Sequence, residues 1–160
     1  LSLFEAARWA PSSGNHQPWR YIYSSTPEEH ERLLSLLSSS NQRWASKASV
    51  LAFAIAHLKV SKTGQVNRHA QFDTGTSWGY LALEARRLGL YAHGMGGFDH
   101  ERSYEVLSVS REDYEVMAAI AIGYYGDAST LVEKDLTREK PNGRRHVSEF
   151  AFHGAFPAEP

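Results

Sequence analysis

Polar side chains of mixed hydrogen-bonding character lie close together near the start of the chain. Ser12, Ser13, Asn15 and Gln17 offer both donors and acceptors, and Pro11 immediately precedes them. Proline fixes φ and short polar side chains bond the nearby backbone, so the segment predicts a defined loop. Such a mixture suits the edge of a pyrimidine-like ring. The residues alone leave open a second interpretation, in which the loop only ends a helix and begins a strand.

A second candidate segment contains three glycines within four residues. Gly94, Gly96 and Gly97 surround Met95, and backbone without a Cβ lets N–H groups approach a ligand closely. The spacing is not the GxGxxG fingerprint, and Asp99 would repel a phosphate at the start of the next helix. Taken alone, the segment is more typical of a strand end followed by a helix cap.

Two further clusters have chemistry suited to a ligand. Arg144 and Arg145 follow a turn and can clamp a phosphate, although adjacent surface arginines are more often only solvated. Asn41 opens a short polar segment, 41–44, whose amides can contact a ring or cap a helical turn. Neither cluster is specific by itself.

Composition excludes several classes of function. The chain has 160 residues, a net charge of -1 and no cysteines, which argues against nucleic-acid binding and excludes thiolate metal sites and dithiol chemistry. No histidine pair has metal-binding spacing, so we predict no metal site. The longest apolar run, 50–56, is far too short to span a membrane, so no membrane partner is expected. Any redox activity would need a bound cofactor.

Hydrophobic patterns predict four strands that alternate with helices. Short continuous apolar runs indicate strands buried on both faces, so helices should cover both sides of the sheet. The predicted strands cover residues 19–24, 50–56, 91–95 and 116–124. The predicted helices cover residues 1–10, 26–37, 41–47, 70–88, 99–107 and 132–139, and 157–160 form an irregular tail. Strand directions cannot be derived from these runs, and an edge strand from a partner chain would enlarge so small a sheet.

Residues 7–20 (ARWAPSSGNHQPWR) resemble the signature segment of the nitroreductase family of FMN-dependent enzymes. Other segments agree in the same order, so the resemblance covers nearly the whole chain. These segments are 41–44, 73–90, 95–99, 120–126, and 144 with 148–150. The resemblance implies one α+β domain over 1–160, a nitroreductase-like sandwich with a mixed central sheet flanked by helices. It also implies a homodimer in which strand exchange completes the sheet.

The resemblance implies that FMN binds in the dimer interface. The opening loop would reach the flavin of the partner subunit, Asn41 would contact its pyrimidine side, and the glycine segment would face N5 and O4. Arg144 would contact the phosphate with Arg145 beside it, and Asp73 would lie near the flavin or cap a helix. The implied cofactor-binding residues are Pro11, Ser12, Ser13, Asn15, Asn41, Gly94, Met95, Gly96, Gly97, Arg144 and Arg145.

The implied activity is a cytoplasmic FMN-dependent oxidoreductase. It would pass hydride from NADH or NADPH, via flavin N5, to a nitroaromatic, quinone or similar small acceptor, with no catalytic side chain identified. A catalytically silent flavin carrier or sensor of the same fold is the alternative, and a purely structural domain is a third. Family members usually begin with a helix carrying an Arg-Ser-x-Arg-like motif. This chain starts after that point, so either the protein lacks the motif or preceding residues are missing from the sequence.

Overall fold

The structure is a computed structural model that describes residues 1–137 and 139–157. It divides into two compact units, Leu1–Tyr125 and Gly126–Pro160. Residue 138, within the predicted helix 132–139, and residues 158–160 of the predicted tail lie outside the described part. The single-domain interpretation stays a prediction.

The first unit contains every helix and strand predicted for it, with ends shifted by a few residues. Local chemistry explains the boundaries, as at α2, where Thr26 and Glu29 form a capping box and Pro27 occupies the first turn. The elements are α1 (Ser2–Arg8), β1 (Trp19–Tyr23), α2 (Pro27–Leu34), α3 (Ser39–Ala45), β2 (Val50–His57), α4 (Ala70–Arg87), β3 (Tyr91–Met95), α5 (His100–Val106) and β4 (Tyr114–Gly123).

The four strands form one sheet in the order β1-β2-β4-β3. Among the described residues, β1 with β2, β2 with β4, and β4 with β3 all pair antiparallel. The expectation of a mixed sheet is therefore wrong for these strands. The apolar runs did not distinguish the cases, because β2 and β4 are covered on both faces whatever their direction. Any parallel neighbour would have to be an added strand.

Helices cover both faces of the sheet, as predicted, which makes the fold an α+β sandwich. Side chains alternate along β2, so Phe53 and Ile55 face α2, α3 and α5 while Ala52 and Ala54 face α1 and α4. The pairing of β2 with β4 shifts register between Ala54 and Ile55. Because alanine side chains are small, α4 can lie close to the sheet. A helix held in this way can fix the loops that contact it.

In the described part of the second unit, one short helix, α6 (Glu133–Leu136), lies within the segment predicted to be helical. Two single turns accompany it, Ala128–Thr130 and Val147–Glu149. The backbone N–H of His146 donates to Glu149 Oε1 at 2.7 Å, which caps the second of these turns. No helix among the described residues is both long and apolar enough to cross a bilayer.

Candidate functional site

The opening loop, residues 11–18, is held by hydrogen bonds within itself. The Gln17 N–H donates to Ser12 Oγ at 3.0 Å, and the Asn15 N–H donates to the Ser12 carbonyl at 3.0 Å. Asn15 and Gln17 take positive φ values of 54° and 47°, a region that non-glycine residues occupy only when their surroundings hold them there. The predicted defined loop is confirmed.

Asp73 attaches this loop to α4. Its side chain is only 3% exposed, and its Oδ2 accepts a hydrogen bond from the Ser13 N–H at 3.0 Å, across 60 positions in the sequence. The N-cap of α4 is His69, so the helix-cap interpretation of Asp73 is wrong. Sequence reasoning missed the link because spacing does not indicate which loop a helix will meet. The only available signal was an acidic residue on a helix face whose other buried residues are uncharged.

Replacing Asp73 should loosen the loop without changing the rest of the fold. In Asp73→Ala the Ser13 N–H loses its acceptor, so its hydrogen exchange should accelerate by roughly tenfold, the equivalent of one charge-assisted hydrogen bond. Asp73→Asn keeps an acceptor oxygen and serves as the matched control. Amide exchange measured by NMR checks the result, and equal exchange in Asp73→Ala and the wild-type protein would contradict the proposed attachment.

A further hydrogen bond fixes α4 against the sheet. The Tyr21 hydroxyl on β1 lies 3.0 Å from Ser77 Oγ on α4. Burial raises the pKa of Tyr21, although the Ser77 hydrogen bond opposes the change. The phenol is therefore neutral at physiological pH, and it contributes a structural contact rather than a charge.

Asn41 and the glycine segment are far apart in the sequence but are in contact in the structure. Asn41 Nδ2 donates to the Gly97 carbonyl at 3.0 Å, and the Ser38 N–H donates to the same oxygen at 2.9 Å. A Cβ on Gly97 would lie 2.8 Å from Asn41 Nδ2 and 3.0 Å from Ser38 Oγ. A larger residue at position 97 would therefore displace the Asn41 amide or the Ser38 hydroxyl.

The other members of the glycine segment differ in what surrounds them. A Cβ on Gly94 would lie 3.3 Å from the Trp78 ring, so close packing of α4 on β3 accounts for that glycine. The Met95 side chain is buried in the core, which leaves only its backbone for contact with a ligand. A Cβ on Gly96 would meet nothing within 4 Å. Gly96 thus presents an open surface that no packing among the described residues explains.

The two halves of the predicted site belong to opposite edges of the sheet. The opening loop leads into β1, whereas Gly96 and Gly97 follow β3, and β2 and β4 lie between these edge strands. Three interstrand spacings amount to about 14 Å. No hydrogen bond joins the two groups in the described part of the chain. Asn41, Gly96 and Gly97 are brought together, and the opening loop forms a separate cluster.

The predicted phosphate ligands lie in the second unit. Arg144 and Arg145 are both exposed, and Arg144 Nη1 donates to the carbonyls of Asn142 and Gly143 at 3.3 and 3.0 Å. Their role toward a phosphate stays a prediction. Across residues 1–137 and 139–157, no group of three or more histidine or acidic side chains is placed to hold a metal ion.

Comparison with known proteins identifies the family. The sequence profile of the nitroreductase family matches residues 1–124. A crystal structure described as an oxidoreductase containing FMN is 37% identical and superposes with a TM-score of 0.91, covering 99% of this chain and 81% of its own. A nitroreductase from Exiguobacterium sibiricum, provisionally so named and solved with FMN, has a TM-score of 0.75 at 19% identity, covering 94% and 83% of the two chains. The chain belongs to the nitroreductase family.

Curated relatives agree with this assignment. A Streptomyces coelicolor protein, provisionally named an NADH dehydrogenase/NAD(P)H nitroreductase, is 35% identical over 116 residues, 61% of this chain and 57% of the relative. A Bacillus subtilis protein, provisionally named an NAD(P)H nitroreductase, is 28% identical over 160 residues, 78% of this chain and 76% of the relative. The chain thus spans somewhat more than half the length of the first of these relatives.

Proposed function

We propose that this protein uses FMN to transfer hydride from NADH or NADPH to a small acceptor such as a nitroaromatic or a quinone. The observation that carries the proposal is the open surface at Gly96, which no packing among the described residues explains, next to Gly97 and the Asn41 amide that donates to it. Family membership and the similarity to an oxidoreductase containing FMN support it.

The residues present fit FMN. Gly96 leaves room for a flat ring, and no acceptor among the described residues receives the Gly97 N–H. Glycine backbone would orient the ring and stabilise its electron-rich reduced form through N–H donors. Ser12, Ser13 and Asn15 would bind polar edges of the cofactor. When bound, FMN supplies the hydride chemistry at its N5 atom.

The remaining proposed contacts place Asn41 at the ring and the two arginines at the phosphate. Asn41 would lie at the pyrimidine side of the ring, and Arg144 and Arg145 would bind the phosphate by charge-assisted hydrogen bonds. Pro11 shapes the opening loop by fixing its φ. Gly94 and Met95 would contribute backbone only. The protein would hold the cofactor and the acceptor in place without an acid, base or nucleophile of its own.

The proposed assembly is a homodimer through the outer face of α1 and α4. Trp9, Phe72 and Leu83 are 69%, 77% and 73% exposed on these helices or just after them, which is unusual for large apolar side chains. Gly75 and Gly79 lie within α4, where a Cβ would meet nothing within 4 Å. Glycine inside a helix costs about 1 kcal/mol relative to alanine, and close approach of a second copy would explain both.

A partner subunit would also complete the sheet and the site. The edge strands β1 and β3 each leave one side without a strand neighbour among the described residues. The C-terminal segment of the partner would add a strand, which is the strand exchange proposed for the dimer. The partner's opening loop would approach the surface formed by Asn41, Gly96 and Gly97. A cytoplasmic location is part of the same proposal.

A visible absorption spectrum of the purified protein and an assay of NAD(P)H oxidation with a quinone test the proposed function. We expect flavin absorption bands, saturable FMN binding and oxidation that depends on FMN. FMN binding without oxidation would favour a silent flavin carrier or sensor. A protein with no bound FMN, no affinity for it and no FMN-dependent oxidation would contradict the proposal.

A further inference from the structure

A series of peptide hydrogen bonds runs from Asn41 to the N–H of Gly97. Asn41 Nδ2 donates to the Gly97 carbonyl at 3.0 Å. That carbonyl belongs to the peptide group whose N–H is on Phe98, and the Phe98 N–H donates to the Gly96 carbonyl at 3.1 Å. The Gly96 carbonyl in turn shares its peptide group with the Gly97 N–H, which has no acceptor among the described residues. We call this series the Asn41 relay.

The relay fixes the backbone of Gly96 and Gly97, which would otherwise be flexible. Two adjacent glycines have the widest choice of backbone conformation, so their peptide groups need external contacts to keep one orientation. The Ser38 N–H donates to the Gly97 carbonyl as well, at 2.9 Å, so both lone pairs of that oxygen are engaged. Hydrogen bonds in series also polarise one another, which strengthens the terminal donor.

The last donor of the relay, the Gly97 N–H, lies where it could contact a bound ring. The Gly97 N–H follows the open surface at Gly96, where a Cβ would meet nothing within 4 Å. An N–H donor held in advance toward a ring stabilises the state of that ring with more electron density. Its effect should therefore differ between the oxidised and reduced forms of a flavin.

We propose that Asn41 is a positioning residue that acts on bound FMN through Gly97, beyond any contact of its own with the ring. By fixing and polarising the Gly97 N–H, the relay increases the affinity for reduced FMN more than that for oxidised FMN. The inference rests on the proposed function, since it needs FMN on the Gly96–Gly97 surface. In this proposal, the strength of the Gly97 N–H as a hydrogen-bond donor depends on the Asn41 side chain, 56 positions away in the sequence.

The test compares Asn41→Ala with Gln42→Ala. Gln42 lies on the same helix and makes the same kind of bond, from Nε2 to the Leu37 carbonyl at 2.8 Å, but it takes no part in the relay. In Asn41→Ala, exchange of the Phe98 N–H in the ligand-free protein should accelerate roughly three- to tenfold. The ratio of the Kd for oxidised FMN to the Kd for dithionite-reduced FMN should fall by about the same factor. Gln42→Ala should leave that ratio unchanged.

Four results would overturn the inference. Equal weakening of both redox forms in Asn41→Ala would make Asn41 a simple contact, and unchanged Phe98 exchange would show that the relay does not hold the segment. Wild-type protein that binds no FMN would overturn the proposed function and the inference with it. Normal FMN binding with an unchanged ratio would overturn the inference alone. Asn41→Ser serves as a second variant if thermal melting shows that Asn41→Ala does not fold.

Discussion

Replacing Gly96 with leucine is expected to abolish FMN binding while leaving the ligand-free protein folded. A Cβ at this position meets nothing within 4 Å, so the larger side chain extends into the open surface where the ring would lie. Thermal stability without ligand should change by less than about 1 kcal/mol, because no native contact is lost. Gly96→Ala should weaken FMN binding by an intermediate amount. Fluorescence titration with FMN and thermal melting measure the two effects.

The adjacent position provides the control for this prediction. Gly97→Ala places a Cβ 2.8 Å from Asn41 Nδ2, so it should displace that amide, break its hydrogen bond to the Gly97 carbonyl and destabilise the ligand-free protein by about 0.5–1.5 kcal/mol. Substitution of Gly96 therefore tests ligand binding, whereas substitution of Gly97 tests contacts within the protein. Wild-type FMN affinity in Gly96→Leu would contradict the placement of the ring.

Replacing Leu83 with glutamate should separate the subunits and remove FMN in the same step. A charge buried in an apolar interface costs several kcal/mol, so dimer affinity should fall by more than about a hundredfold. If each site needs the opening loop of the partner subunit, the monomer loses both FMN and NAD(P)H oxidation. Sedimentation velocity and flavin absorbance on the same sample measure assembly and cofactor content together.

Val66 supplies the control for the Leu83 substitution. It is 80% exposed in the segment before α4 and belongs to neither helix of the proposed interface, so Val66→Glu introduces the same charge on the surface. This variant should remain dimeric and keep its FMN. A Leu83→Glu monomer that binds FMN and stays active would contradict the sharing of sites between subunits.

Periodicity and turn chemistry in the sequence were enough to predict the helices and strands. The capping box at Thr26 and the long apolar pattern of α4 are local signals, and local signals determine where elements begin and end. The direction of the strands was not predictable, because the runs that form β2 and β4 are apolar whichever way they pair. A family resemblance supplied the expectation of a mixed sheet, and the four strands of this chain do not meet it.

The contacts that connect the candidate residues were not predictable from the sequence. Asn41 and Gly97 are 56 positions apart, and nothing in either segment indicates their hydrogen bond. The same holds for Ser13 and Asp73. Such contacts depend on how helices are placed over the sheet, which is set by packing throughout the core. The sequence also does not distinguish Gly97, where a Cβ would meet Asn41 and Ser38, from Gly96, where a Cβ would meet nothing within 4 Å.

The FMN content of mixed dimers tests most directly whether each site is shared between two subunits. Ser13→Trp alters the exposed opening loop, Gly96→Leu alters the ring surface, and each homodimer should lack FMN. In a heterodimer purified with two different tags, one site combines both changes and the other combines neither. If the sites are shared, we expect about half the wild-type FMN and NAD(P)H oxidation, because one of two symmetric sites is intact. A heterodimer without FMN would show that the loop and the glycines of one chain serve the same site, and would contradict the account.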